Sequence, residues 1–553
     1  MLIAGSITGC AGSGAPGAEA TPDYAELVAD LRAERSDAWD RLDAAFLRLP
    51  DFQSRLERLG VLHRRAATAE PDADQLTTDA ERMLELYFGD LRAHALRHRL
   101  ALAAGDDDVA DFHLAAAEAI AEALKGTGDG SAGKPFAVVA APQAHAWLDR
   151  RDIEIVGALY ATEDDPENLT LVLKTRSDEQ LALQDLHFDL TPTFRAGVAL
   201  TSALGVERPT PSQIVATRAS QGDSAAQTAH AIELWQSGPE FAGRAVQWLQ
   251  AAGESGNIVA REMLGVIYGS LATGRSGEEA ERLLDAAVDQ FLLAVNQGSD
   301  TAMYNLAQLY LSGHFGEENQ PSGVALLEQA AERDNLDALV MLARLNYNGQ
   351  FVPEDRDRAV ELLARASARG HTEAQLFHAR HMLSTDDGIG FDKRARGWLE
   401  EAATIGRSAD AMLLLGTLHA RGEHVEQDDA LAVRWLLRAA AATDDPETIN
   451  SVAWILAVAE SPDLRDAPAA LELMDALMDR DEQAAANPAY IDTWAAANAA
   501  NARFEDAVRI QRQALAIAEQ EAEARGTPPD YLPVLREHLE LFEAGGTISE
   551  DVP

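Results

Sequence analysis

Cysteine is almost missing from this 553-residue chain: Cys10 stands alone. A single thiol cannot close an internal disulfide, nor build a structural zinc site by itself. Lysine is nearly as scarce, occurring only at 125, 134, 174 and 393. The 46 basic residues are therefore mostly arginine; they face 91 acidic ones, and the formal net charge is −45. That balance opposes nucleic acid and other anionic polymers and favours protein partners with neutral or basic surfaces. Long apolar runs are also lacking, and none reaches the roughly 20 residues of a membrane-spanning helix. What is there is 47% hydrophobic, enough for globular folding. The length predicts about three or four domains rather than one core.

The cysteine sits in "MLIAGSITGCAGSGAPG". Ile7, Thr8 and Gly9 place a branched apolar residue, a small residue and glycine ahead of it. That order resembles a bacterial lipobox, in which the cysteine becomes the lipid attachment site, here Cys10. The Gly/Ala/Ser/Pro stretch after it reads as a flexible tether. Only nine residues precede Cys10, and none is basic, so 1–22 reads as a truncated lipoprotein signal and tether. The resemblance implies a lipid-anchored, periplasm-facing protein of the cell envelope. Ala11, where an aspartate would favour inner-membrane retention, points to the outer membrane.

From 23 to 200 the pattern predicts an α+β domain. Apolar spacings of three and four, such as Met83, Leu84, Tyr87 and Leu91, give helices up to about residue 124. Strand-like pieces follow at 136–140, 153–161, 169–175 and 181–190, separated by turn-forming "TEDDPEN" and "RSDEQ". They predict a small antiparallel meander. The polar, proline-bearing segment at 201–222 reads as a linker.

Residues 223–445 repeat. The position of Trp248, Gln290, Leu326, Leu362, Trp398 and Trp435 recurs at intervals of 42, 36, 36, 36 and 37. Gly256, Gly298, Asp334, Gly370, Gly406 and Thr443 keep the same intervals eight residues later. A third column, Gly265, Ala307, Ala343, Ala379 and Gly416, is uniformly small. Each unit thus predicts a helix pair: a first helix with a small residue for close approach, then a second ending at a left-handed glycine. Asp355 and Asp428 are placed to cap second helices. Trp248, Trp398 and Trp435 are expected in the core.

These columns resemble the SEL-like repeat, a relative of the tetratricopeptide repeat. The unit near 258–300 departs from the pattern by six extra residues, and the unit near 372–407 by His378 in a leucine column. From 446 to 545, Asp492, Thr493, Ala495–Ala497, Arg503, Phe504 and Ala507 resemble tetratricopeptide-type repeats that would cap the array. The expected fold is therefore mostly α: a solenoid of SEL-like and tetratricopeptide-type pairs after a smaller α+β domain.

Catalytic signatures do not emerge. "GDGSAGKP" at 128–135 offers Gly128, Gly133 and Lys134, but Pro135 takes the place of the Ser or Thr a phosphate loop requires. His94/His98 and His378/His381 have helical spacing without the acidic partner of a zincin, and no Gly-x-Ser-x-Gly elbow occurs. His187 and Asp189 share one strand face and read as edge-strand residues. No metal, cofactor or catalytic residue is expected. The favoured function is a lipid-anchored periplasmic adaptor that binds proteins through its solenoid. The alternative is an enzyme or ligand-sensing domain at 24–200 supported by the repeats.

Overall fold

The computed structural model describes residues 23–68, 72–162, 168–177, 181–203, 210–384 and 393–552. Cys10 and the signal expected at 1–22 lie outside the described residues. Twenty-six α-helices and one four-stranded sheet are found among the described residues. They form two compact units, one up to residue 329 and one from 330 onward. The architecture is the α-solenoid of repeated pairs with a small sheet that the sequence anticipates.

The first unit opens with helices packed around aromatic side chains. Phe46 lies 5.6 Å from Tyr24 and 4.5 Å from Tyr87, ring to ring. The Phe88 amide donates to Tyr24 Oη at 2.8 Å, which satisfies a buried hydroxyl inside this core. The sheet follows: β1 (Phe136–Ala137), β2 (Glu154–Ala161), β3 (Thr170–Arg176) and β4 (Gln184–Asp189). Its order is β1-β4-β3-β2. The antiparallel meander is present as β2, β3 and β4, with Leu171 opposite Phe188. β1 departs from it by running parallel to β4. The reason is helix Ala141–Asp149, which takes the chain away from β1 before β2 begins.

The free edge of β2 is covered by the repeat array. Asn257 donates from Nδ2 to the Ala158 carbonyl at 2.7 Å, and its Oδ1 accepts from the Ala158 amide at 3.2 Å. A side-chain amide thereby takes the place of a neighbouring strand. The same Asn257 caps helix Ile258–Ala272 by accepting from Val259 N. Val156 of β2 shares a core with Ile258 and Phe291. Much of 201–222 is helical, since Pro211–Ser220 is opened by a capping box of Thr210 and Gln213.

The turns between pairs explain the periodicity. Gly256, Gly298, Asp334 and Gly370 all have positive φ, and the next residue in each case caps the following first helix. Those caps are Asn257, Ser299, Asn335 and His371. In the fifth pair the left-handed position moves from Gly406 to Arg407, with Ser408 as cap. Asp355 and Asp428 cap second helices by accepting from Arg358 N and Leu431 N.

The tryptophan column differs from expectation. Trp248, Trp398 and Trp435 are half-buried, while the residue after each is shut away from solvent. The core column is Leu249, Phe291, Leu327, Leu363, Leu399 and Leu436, at most 3% exposed. The small column exists for these residues. A Cβ on Gly265 would lie 2.4 Å from Phe291 Cε1, and one on Gly416 would lie 2.8 Å from Leu436 Cγ.

Helices from Pro446–Val458 to Leu532–Glu543 complete the second unit. Residues 548–552 fold back as a strap. Glu550 N donates to Val458 O at 2.9 Å, Glu460 N donates to Glu550 O at 3.0 Å, and Ile548 is buried.

Candidate functional site

The residues singled out by spacing do not converge on one centre. His94 turns from His98 to a residue of the next helix: its Nδ1 lies 2.9 Å from His113 Nδ1, and its Nε2 bonds the Phe88 carbonyl. His98 bonds the Ala110 carbonyl instead. Desolvation pushes the His94 pKa down to about 3 and that of His113 to about 4, so this is a neutral, structural pair. His378 is buried with its ring 4.9 Å from that of Trp398. The side chain of His381 lies outside the described residues. His187 and Asp189 lie on β4, which pairs with β1 on one side and β3 on the other and so is not the edge strand expected; Asp189 accepts from Thr191 N at 2.8 Å. "GDGSAGKP" closes a tight turn in which Lys134 N donates to Ser131 O, and it leads into β1 rather than a helix. Among the described residues, no three His, Cys, Asp or Glu side chains gather as a metal site. No described helix is long and apolar enough to cross a membrane.

A groove in the second unit was not signalled by any motif. It lies between two successive first helices, Ala409–Arg421 and Pro446–Val458, and encloses about 310 Å³. Leu413 and Thr417 form one wall; Asn450, Ser451, Trp454 and Ile455 form the other. These positions follow from helix geometry, since residues three and four apart share a face. Thr417 is held by donating to the Leu413 carbonyl at 3.0 Å. Asn450 Oδ1 is shielded from solvent and accepts no hydrogen bond from the protein. Such an atom is destabilising unless a ligand or water supplies a donor. Trp454, half-exposed beside it, offers a broad apolar face.

Behind the groove the helices are fixed by a buried polar cluster. Asp492 Oδ1 takes bonds from Gln511 Nε2 at 2.6 Å and His538 Nδ1 at 2.9 Å. The His538 ring lies 5.9 Å from Trp454. Desolvation works against its charge, but the bond and charge of Asp492, with Glu550 and Glu537 adding to them, together hold the His538 pKa above the usual imidazole value. Here a tetratricopeptide-like aspartate serves packing.

Two successive first helices forming a grooved face, with a left-handed turn every 36 residues, describe a known repeat. Four segments, 242–257, 300–335, 336–371 and 409–444, match the Sel1 repeat family. The chain carries Sel1 repeats. The two pairs left unmatched, near 258–299 and 372–408, are those whose sequences depart from the pattern, the first by its extra residues and the second by His378 in the leucine column. No curated protein matches the chain. Among solved structures, a protective antigen of uropathogenic Escherichia coli strains with an SLR fold is 18% identical, at a TM-score of 0.39. That match covers 64% of this chain and 81% of the antigen. A Sel1 repeat protein from Oxalobacter formigenes is 20% identical at a TM-score of 0.37, covering 45% of this chain and 98% of that one. Sel1 repeats are in general a non-catalytic fold for protein–protein interaction.

Proposed function

We propose that this Sel1 repeat protein is a lipid-anchored scaffold of the cell envelope, facing the periplasm through Cys10, most consistently at the outer membrane. Its partner is a protein with a neutral or basic surface, held on the face formed by successive first helices. The groove between 409–421 and 446–458 carries this reading. An unsatisfied Asn450 acceptor beside the Trp454 ring suits a peptide segment that offers an amide donor and an apolar side chain. The net charge of −45 selects partner sign and speeds encounter at low salt.

Two measurements test it. A photo-crosslinking residue at Trp454 in the full chain is expected to capture the same protein from envelope fractions as the wild type co-purifies. The same residue at Glu472 is expected to capture none of it, and equal capture at both positions overturns the groove. Expressed behind a complete signal, the wild type is expected to incorporate palmitate and Cys10→Ser to fail; equal labelling overturns the anchor.

A further inference from the structure

A cleft of about 230 Å³ opens in the first unit between helices Phe52–Thr68, Leu91–Ala104 and Ala141–Asp149. Its walls present His63, Arg64, Arg92, His145 and Asp149. Two guanidinium groups, which stay charged at any physiological pH, and two imidazoles thus face a single carboxylate. In a chain with twice as many acids as bases this is a local reversal of sign. Arg92 makes no hydrogen bond or ion pair with any described residue.

His63 is the second observation. It is only 5% exposed, and its Nδ1 has no hydrogen-bond partner. Nε2 lies 2.8 Å from Asp90 Oδ2, off the line of a good hydrogen bond. Asp90 is itself fixed, because its other oxygen caps the next helix by accepting from Ala93 N at 2.7 Å. The ring is therefore braced from behind by a carboxylate, and Nδ1 is left as the nitrogen open to a ligand. A buried polar atom without a partner calls for one. Desolvation holds the His145 pKa below the usual imidazole value, against the pull of Asp149 and Asp223.

We propose that the cleft binds a small organic anion through a carboxylate or phosphate group. Arg92 supplies a planar pair of donors, Arg64 adds charge, and His63 contributes an Nδ1–H donor. The volume equals roughly eight waters at about 30 Å³ each, so a compact molecule fits and a polymer does not. Asp90, facing Nε2, fixes the ring so that Nδ1 is the nitrogen presented to the anion. Asp149, the one acid in the wall, opposes a second negative group on its side and orients the ligand. This site is independent of the groove at Trp454, so either can fail without the other.

The test is calorimetric titration of the full chain with inorganic phosphate and, separately, with citrate. One of the two anions is expected to bind at a single site, which separates a phosphate from a carboxylate ligand. Arg92→Gln, at a half-exposed position, is expected to keep the unfolding midpoint and weaken that anion at least tenfold. His63→Gln is expected to weaken it as well; should it unfold the chain, Arg92→Gln alone decides. Absence of binding by both anions at millimolar concentration overturns the proposal, as does wild-type affinity in Arg92→Gln.

Discussion

His94 in the first unit and His538 in the second are both buried on helices, yet they answer protons in opposite senses. His94 is surrounded by aromatic rings and another imidazole, so burial excludes its charged form. His538 faces the Asp492 carboxylate, so its charged form is favoured. The unfolded chain protonates both near pH 6.5. Between that value and about 3 the unfolded state binds the proton that native His94 refuses, and stability falls with pH. For His538 the native state binds the proton first. Its contribution is full below the unfolded pKa and is lost as pH rises through the raised native one. Burial alone does not set the response; the partner does.

The strongest way to break this contrast is Asp492→Ala. It leaves His538 and Gln511 without the acceptor they share, and a loss of about 3–5 kcal/mol is expected in the second unit. Hydrogen exchange resolved by segment should show lost protection at 488–543 and none around His94; uniform loss would mean the units are not separately stable. Next, Leu436→Ala is expected to cost about 2–5 kcal/mol, because it empties a site packed against Gly416. Trp435→Ala should cost less than Leu436→Ala, although more atoms are removed, since its ring is half-exposed and covered by Arg438 at 4.7 Å. Denaturant midpoints in the reverse order would restore the tryptophans to the core. The smallest effect sharpens the comparison directly. Lowering pH from 7 to 5 is expected to cost the first unit about 2 kcal/mol through His94 alone. His113 adds in the same direction, while exchange near His538 slows. Equal slopes in both units would refute the assignment of opposite signs.

The period of 36 made the helix pairs legible because every unit repeats the same turn and the same small residue. It did not say which of two adjacent columns faces inward. Trp398 and Leu399 recur together, and a bulky aromatic looks like the better core residue. What decides between them is the clash a Cβ would make at Gly265 or Gly416, and that requires coordinates. Spacing within one helix likewise suggested His94 with His98, whereas the true partner, His113, comes from the next helix. The groove at Asn450 and the cleft at Arg92 were invisible for the same reason. Each is assembled from helices that are not consecutive in sequence.

The strap bears on how the second unit would carry a load. A repeat array pulled from its ends peels one pair at a time, because each pair holds only its neighbours. Here Glu550 is tied to Val458 and Glu460 by two backbone bonds running along a parallel bridge. Tension entering beyond residue 550 passes across that bridge and bypasses the helices from Ala467 to Glu543. The two bonds are loaded together in shear, so the bypassed helices form a slack loop that is spared until the bridge parts. They would then extend all at once, giving one large step in a force trace where a plain solenoid gives a staircase.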